Sequence, residues 1–143
     1  MDIFTPARRS EIMSRIRSVD TSPEVRLRTQ LYRLGLRYRN NVRELPGKPD
    51  IVFRKYKYAV QVRGCFWHAH KDCGRSNRPA TNKSYWLPKL ARNVARDKKN
   101  DAALRALGWK VKVVWECDIA SASSLEKVAR KISDEVISRA SKQ

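Results

Sequence analysis

The sequence is short of acid. Its 143 residues carry 14 Asp and Glu against 32 Lys and Arg, a formal net charge of +18. A surplus that large on a folded domain points to a polyanion, nucleic acid first. Long apolar runs are also missing, so no membrane span and no membrane partner are expected. Met1 to Pro6 shows no secretion-signal pattern. Cysteine is scarce, at three residues, which speaks against a disulfide scaffold and points to a reducing compartment, so a cytoplasmic location is expected. Repeats and low-complexity linkers are absent. What is present suits one ordinary domain spanning 1–143, since 41% of the residues are hydrophobic, enough for a real core and too many for a disordered tail.

The charge is unevenly placed. Residues 1–45, 46–75 and 76–117 carry net charges of +5, +5 and +7, whereas 118–143 carry only +1. A basic tail would show the opposite concentration, so the charge belongs to the folded body.

Helix and strand signals alternate along the chain. Thr5-Pro6 opens a helix with a capping hydroxyl and an early Pro. That helix sets Arg8, Arg9, Arg15 and Arg17 around Ile12, Met13 and Ile16. Its thin apolar content suits a surface or ligand-facing element over 1–20. Ser22-Pro23 repeats the start signal, Leu27, Leu31 and Leu34 follow at helical spacing, and Gly35 ends the run. A strand is predicted around 36–42, then a turn at Pro46-Gly47-Lys48-Pro49. Residues 51–53 and 58–62 read as two hairpin-like strands across a charged turn. Residues 64–83 have no periodicity. Trp86, Leu90, Val94, Leu104 and Leu107 mark a long helix ending at Gly108, and 110–115 is a β-branched strand. Leu125, Val128, Ile132 and Val136 give an amphipathic scaffold helix over 120–143. The order α-α-β-β-β-α-β-α predicts an α/β domain with a mixed sheet flanked by helices.

The chemistry gathers in 64–83. The two histidines, His68 and His70, both stand within five residues of Cys65. Cys65, His70 and Cys73 with Cys117, beyond the last strand, form a Cys3His set of the kind that holds a structural Zn2+. The plain alternative is three buried thiols and two surface histidines. If His70 binds metal, His68 is free to act as a general base. Phe66-Trp67, beside a metal ligand in a very basic protein, suits DNA stacking or wedging as well as it suits core packing. Asp50, Gln61 and Arg63 have the spacing of a P-D…(D/E)-x-K Mg2+ nuclease arrangement. Gln offers only a neutral carbonyl and Arg cannot be a base. An Asp following Pro-Gly-x-Pro is also a common turn residue.

Three segments carry a family resemblance: Pro46-Gly47-Lys48-Pro49-Asp50, Gly64-Cys65-Phe66-Trp67-His68 and Trp115-Glu116-Cys117. With Ile12-Met13-Ser14-Arg15-Ile16, Tyr85-Trp86, 89–97 and Leu107-Gly108-Trp109 in the same order, the chain resembles the very short patch repair (Vsr) mismatch endonucleases over about 5–120. The resemblance implies a restriction-endonuclease-like fold with a structural zinc. It implies Mg2+-dependent nicking of double-stranded DNA 5′ to the T of a T:G mismatch left by 5-methylcytosine deamination, by a monomer working with other repair proteins. On the matching positions, Asp50 and the Val62 main chain would hold Mg2+, and His68 would activate water. Cys65, His70, Cys73 and Cys117 would bind zinc. Phe66 and Trp67 would intercalate with Trp86 in support, and Met13 would enter from the other groove. Glu24, Asn93 and Asp97 would stand near the active site. The chain departs from the pattern at Gln61, where an apolar residue is expected, and at Val62, where some members have Thr. It departs again at Arg63, where Asp or His is expected; there a fixed cation next to the active site could grip the phosphate. The stretch from His70 to Cys73 is one residue longer than expected, leaving Asp72 as a substitute zinc ligand. Two other readings fit the residues: a restriction-type or broader nicking endonuclease, and a zinc-stapled nucleic-acid-binding module.

Overall fold

The structure is a computed structural model, described over residues 21–71, 73 and 82–141. The expected first helix, including Met13, lies outside these residues, as does Asp72.

Helix α1 spans Ser22–Arg33. Its N-cap is Thr21, one residue before the position the Ser-Pro signal suggested, and no side chain caps it. Pro23 sits in the first turn, where its missing N–H costs nothing. The chain leaves the helix through Gly35 at φ +90°, a conformation without steric penalty only for glycine. The strand expected around 36–42 is shorter, with β1 covering only Arg39–Asn40. Strands β2 (Ile51–Phe53) and β3 (Tyr58–Arg63) pair antiparallel, with Ile51 opposite Val60 and Phe53 opposite Tyr58. A short 3-10 turn over Arg54–Tyr56 joins them, closed by Lys57 at φ 51°. Helix α2 (Lys83–Ala106) then crosses to β4 (Lys110–Trp115), which lies parallel to β3. A 3-10 turn at Glu116–Ile119 leads into α3 (Ala122–Ser141). The sheet order is β1-β2-β3-β4, a mixed four-stranded sheet.

Strand alternation sorts the two faces. Ile51, Phe53, Tyr58, Val60 and Val114 point to one side, where Leu27 and Leu31 of α1 and Ala129, Ile132 and Val136 of α3 complete the core. Removing each such Leu or Ile from water contributes about 2 kcal/mol. The Tyr58 hydroxyl donates to the Glu135 carboxylate, and Arg139 Nε donates to the Tyr56 carbonyl at 2.6 Å, so α3 is tied to the β2–β3 hairpin. Ala59, Gln61 and Arg63 point to the other side, toward α2. The polar end of β3 and the start of β2 therefore meet one face of α2, and the site is built there. Among the described residues, no helix is long and apolar enough to cross a membrane.

Candidate active site and metal centre

An open cleft of about 720 Å³ lies where the ends of β2 and β3 face α1 and α2. Asp50 enters it from the start of β2 and is 8% exposed. Its Oδ2 accepts the Val62 N–H at 2.6 Å. Burial, and then the nearby Glu24 carboxylate, push the Asp50 carboxyl up to about 7, against the lowering effect of the Val62 N–H. Glu24, in the first turn of α1, is only 3% exposed and lines the same cleft. Two buried carboxylates that repel one another form a hard-oxygen donor set, which suits a small divalent cation.

Across the cleft, His68 Nδ1 and Asp97 Oδ2 lie 2.6 Å apart. With Nδ1–H donated to the carboxylate, Nε2 is left as the acceptor, the tautomer a general base needs. Asn93, one turn before Asp97 on α2, donates from Nδ2 to the Trp67 carbonyl at 2.9 Å and so holds the loop that carries His68. Arg63 turns inward: its Nη2 donates to both carboxylate oxygens of Asp101, at 2.7 and 2.9 Å. Gln61 is buried too, its Nε2 toward the Gly47 carbonyl.

The aromatics gather at the rim. Phe66, Trp67 and Trp86 form a triangle of edge-to-face contacts with centroid separations of 5.4, 5.4 and 5.6 Å. Lys89 Nζ stands 5.7 Å from the Trp67 ring and 6.0 Å from the Trp86 ring, placing a cation against their faces.

Cys65, His70, Cys73 and Cys117 come together behind this loop. Their ligand atoms all lie within 4.8 Å of one another. Four ligands on one Zn2+ would place sulfurs about 3.8 Å apart for a Zn–S distance of about 2.3 Å, so the set is sized for such an ion. His70 also stacks on Trp115 at 4.0 Å and 8°. Burial, followed by the neighbouring thiols, pushes the Cys117 thiol up to about 12, and burial raises the Cys65 thiol as well; a bound cation would favour the thiolate at both. Cys65 and His70 flank Phe66, Trp67 and His68. Closing the cluster would therefore pin both ends of the segment that carries the rim aromatics and the candidate base. The His68 N–H to Gly64 carbonyl and His70 N–H to Cys65 carbonyl bonds coil that segment, with Ala69 at φ 49°.

The family described as "DNA mismatch endonuclease Vsr" matches residues 1–75. The chain belongs to the Vsr family. The "Type II nicking enzyme V.NmeAIP" of Neisseria meningitidis is 43% identical over 139 residues, covering 94% of this chain and 99% of that protein. The "DNA mismatch endonuclease Vsr" of Escherichia coli is 40% identical over 124 residues, covering 87% and 79%. A "Type II nicking enzyme" of Xanthomonas oryzae is 42% identical over 133 residues, covering 93% and 97%. This Vsr-family chain is an endonuclease.

Every expected site residue among those described thus falls in one of two adjacent places. Asp50, Val62, Arg63, His68, Glu24, Asn93, Asp97, Phe66 and Trp67 line the cleft, with Trp86 packed against the last two. The four Cys and His form the second place. Asp101 and Lys89 were missed from the sequence. Their signal was a polar stripe on the long helix, Lys89, Asn93, Asp97 and Asp101 at intervals of four on one face; the first three line the cleft and Asp101 is buried against Arg63.

Proposed function

We propose that this protein is a Mg2+-dependent, strand-specific DNA endonuclease that nicks 5′ to the T of T:G mismatches left by deaminated 5-methylcytosine. The observation that carries the reading is the convergence, in one cleft, of the buried Asp50–Glu24 pair, the His68–Asp97 hydrogen bond and the Phe66–Trp67–Trp86 triangle. Asp50 and the Val62 main chain would hold Mg2+, which when bound neutralises phosphate charge and polarises the scissile bond. His68 Nε2 takes the proton of the attacking water, while Asp97 fixes the ring and stabilises its protonated form. The aromatics unstack the step beside the mismatch; a T:G wobble opens at lower cost than a paired step, so the wedge selects deformability as well as base identity. The basic surface supplies salt-dependent, sequence-blind affinity. Zn2+ on Cys65, His70, Cys73 and Cys117 would be structural. Met13 would act from the opposite groove. A restriction-endonuclease-like fold, a single catalytic domain acting as a monomer, helper repair proteins and a cytoplasmic site complete the proposal.

The test is a labelled heteroduplex with Mg2+. The T-bearing strand of T:G should be nicked well above a T:A control; equal nicking of both removes the mismatch claim. Asp50→Ala and His68→Ala should lose nicking and keep DNA binding. A second reading is favoured by the relatives named Type II nicking enzymes and by the Gln61 and Arg63 departures: a nickase with a broader or different site preference. Cleavage of perfectly paired DNA would select it.

A further inference from the structure

We propose that Arg63 and Asp101 form an internal clamp that positions Asp97, and through it the His68 imidazole, for the nicking step; this rests on the reading of His68 as the general base. Arg63 ends β3 on the face that meets α2. Its Nη2 binds Asp101 Oδ1 and Oδ2 at 2.7 and 2.9 Å, and its Nε lies 3.7 Å from Asp97 Oδ2. That same Oδ2 is 2.6 Å from His68 Nδ1. The Arg63 and Asp101 side chains are each only 10% exposed, so the pair is largely buried, with Arg63 forming part of the cleft wall.

Asp97 and Asp101 are one helical turn apart on the same face, a spacing at which like charges repel. One guanidinium placed between them neutralises one of the two charges and draws both carboxylates to the same side. The planar fork of Arg fixes two directions at once, which a Lys ammonium cannot do. Asp97 is thereby kept from swinging away from Asp101, and its Oδ2 stays aimed at His68. A guanidinium turned inward against a buried carboxylate is also badly placed to grip a phosphate. Arg63 is therefore a positioning residue, with Asp101 as its anchor.

The experiment compares native protein with Arg63→Gln, Asp101→Asn and the double variant. Three quantities are read: the single-turnover nicking rate at saturating T:G duplex, the Kd for that duplex across a salt series, and the hydrogen-bonded Nδ1–H resonance of His68 in magnesium-free protein. Arg63→Gln should lower the rate about 10²-fold and abolish the His68 resonance, with Kd within about twofold and an unchanged salt slope, since no phosphate contact is lost. Asp101→Asn keeps the shape of the anchor and reports should Arg63→Gln fail to fold; it should lower the rate about tenfold and shift the resonance. The double variant removes both charges and the repulsion on Asp97, so its rate should recover at least about threefold over Arg63→Gln. Native rate and resonance in both single variants would overturn the clamp. So would a raised Kd with a salt slope reduced by about 0.9, which marks a phosphate contact. If the native protein nicks no duplex, the functional reading fails separately, and an unaltered His68 resonance in the variants still overturns the clamp.

Discussion

Replacing Asp50 with Asn should stabilise the magnesium-free protein above neutral pH while removing its nicking activity. Asp50 is buried beside Glu24, and the two effects push its carboxyl from 3.8 up to about 7. In the unfolded chain the group titrates near 4. Between about pH 4 and 7 the native state therefore binds more protons than the unfolded state, and stability falls as pH rises through that window. Above about pH 7 the loss is complete. A displacement of about three units corresponds to about 4 kcal/mol at most. Asn keeps an oxygen to accept the Val62 N–H, which in the native protein lies 2.6 Å from Asp50 Oδ2, and carries no charge to repel Glu24. At pH 8 the variant should gain about 2–4 kcal/mol, or roughly 10 °C in Tm. At pH 5, where native Asp50 is itself protonated, the gain should largely vanish. Thermal melts of both proteins in magnesium-free buffer at pH 5 and 8 give the comparison. Added Mg2+ at pH 8 should raise the native Tm and leave that of Asp50→Asn nearly unmoved. Equal melting at pH 8, or a larger gap at pH 5 than at pH 8, would show that the buried Asp50 charge does not destabilise the native state.

Other expectations concern the parts around Asp50. Metal analysis of purified protein should find one zinc per chain; Cys117→Ser should lower that ratio and the Tm together, because a structural site contributes folding energy. Trp67→Ala should weaken binding to T:G duplex by about 1–3 kcal/mol and weaken binding to paired duplex much less; equal losses on both, read by titration, would make the ring a packing group. Gly47→Ala should cost about 1–3 kcal/mol, since Gly47 sits at φ +76° and an added Cβ would lie 3.0 Å from Asn100 Cβ and Gln61 Nε2. Urea unfolding measures that cost, and nicking should fall with it, because residues 46–49 set the entry of Asp50 into β2.

Much of the fold was legible because its elements carry strong local signals. The α1 leucines, the alternating β3, the β-branched β4 and the amphipathic α3 each state their own buried face. The strand around 36–42 was overread. An alternating run does not say where it will bend: β1 pairs Arg39 with Val52 and Asn40 with Ile51, and the regular strand then ends at Asn41, at φ 51°, although Asn41 and Val42 still donate to the Asp50 and Pro49 carbonyls. The Cys and His residues were legible as a set because they are so few. The Arg63–Asp101 pair was not, since 38 positions separate the two residues and only the packing of α2 across β3 brings them within 2.7 Å.

The surplus of positive charge, the α/β order, the scarce metal-type ligands and the residues that mark the family were all readable from the amino-acid order alone. These depend on residue type and short spacing, which need no partner from elsewhere in the chain. The resemblance already put Glu24 and Asp97 near the active site; the packing of the chain added that Glu24 is buried in one cleft with Asp50, that Asp97 Oδ2 meets His68 Nδ1, and that Arg63 turns its charge onto Asp101. Those are matters of which faces meet. They follow from strand alternation sending Gln61 and Arg63 toward α2 while Val60 joins the core, and from the crossover that brings α2 over the polar end of β3.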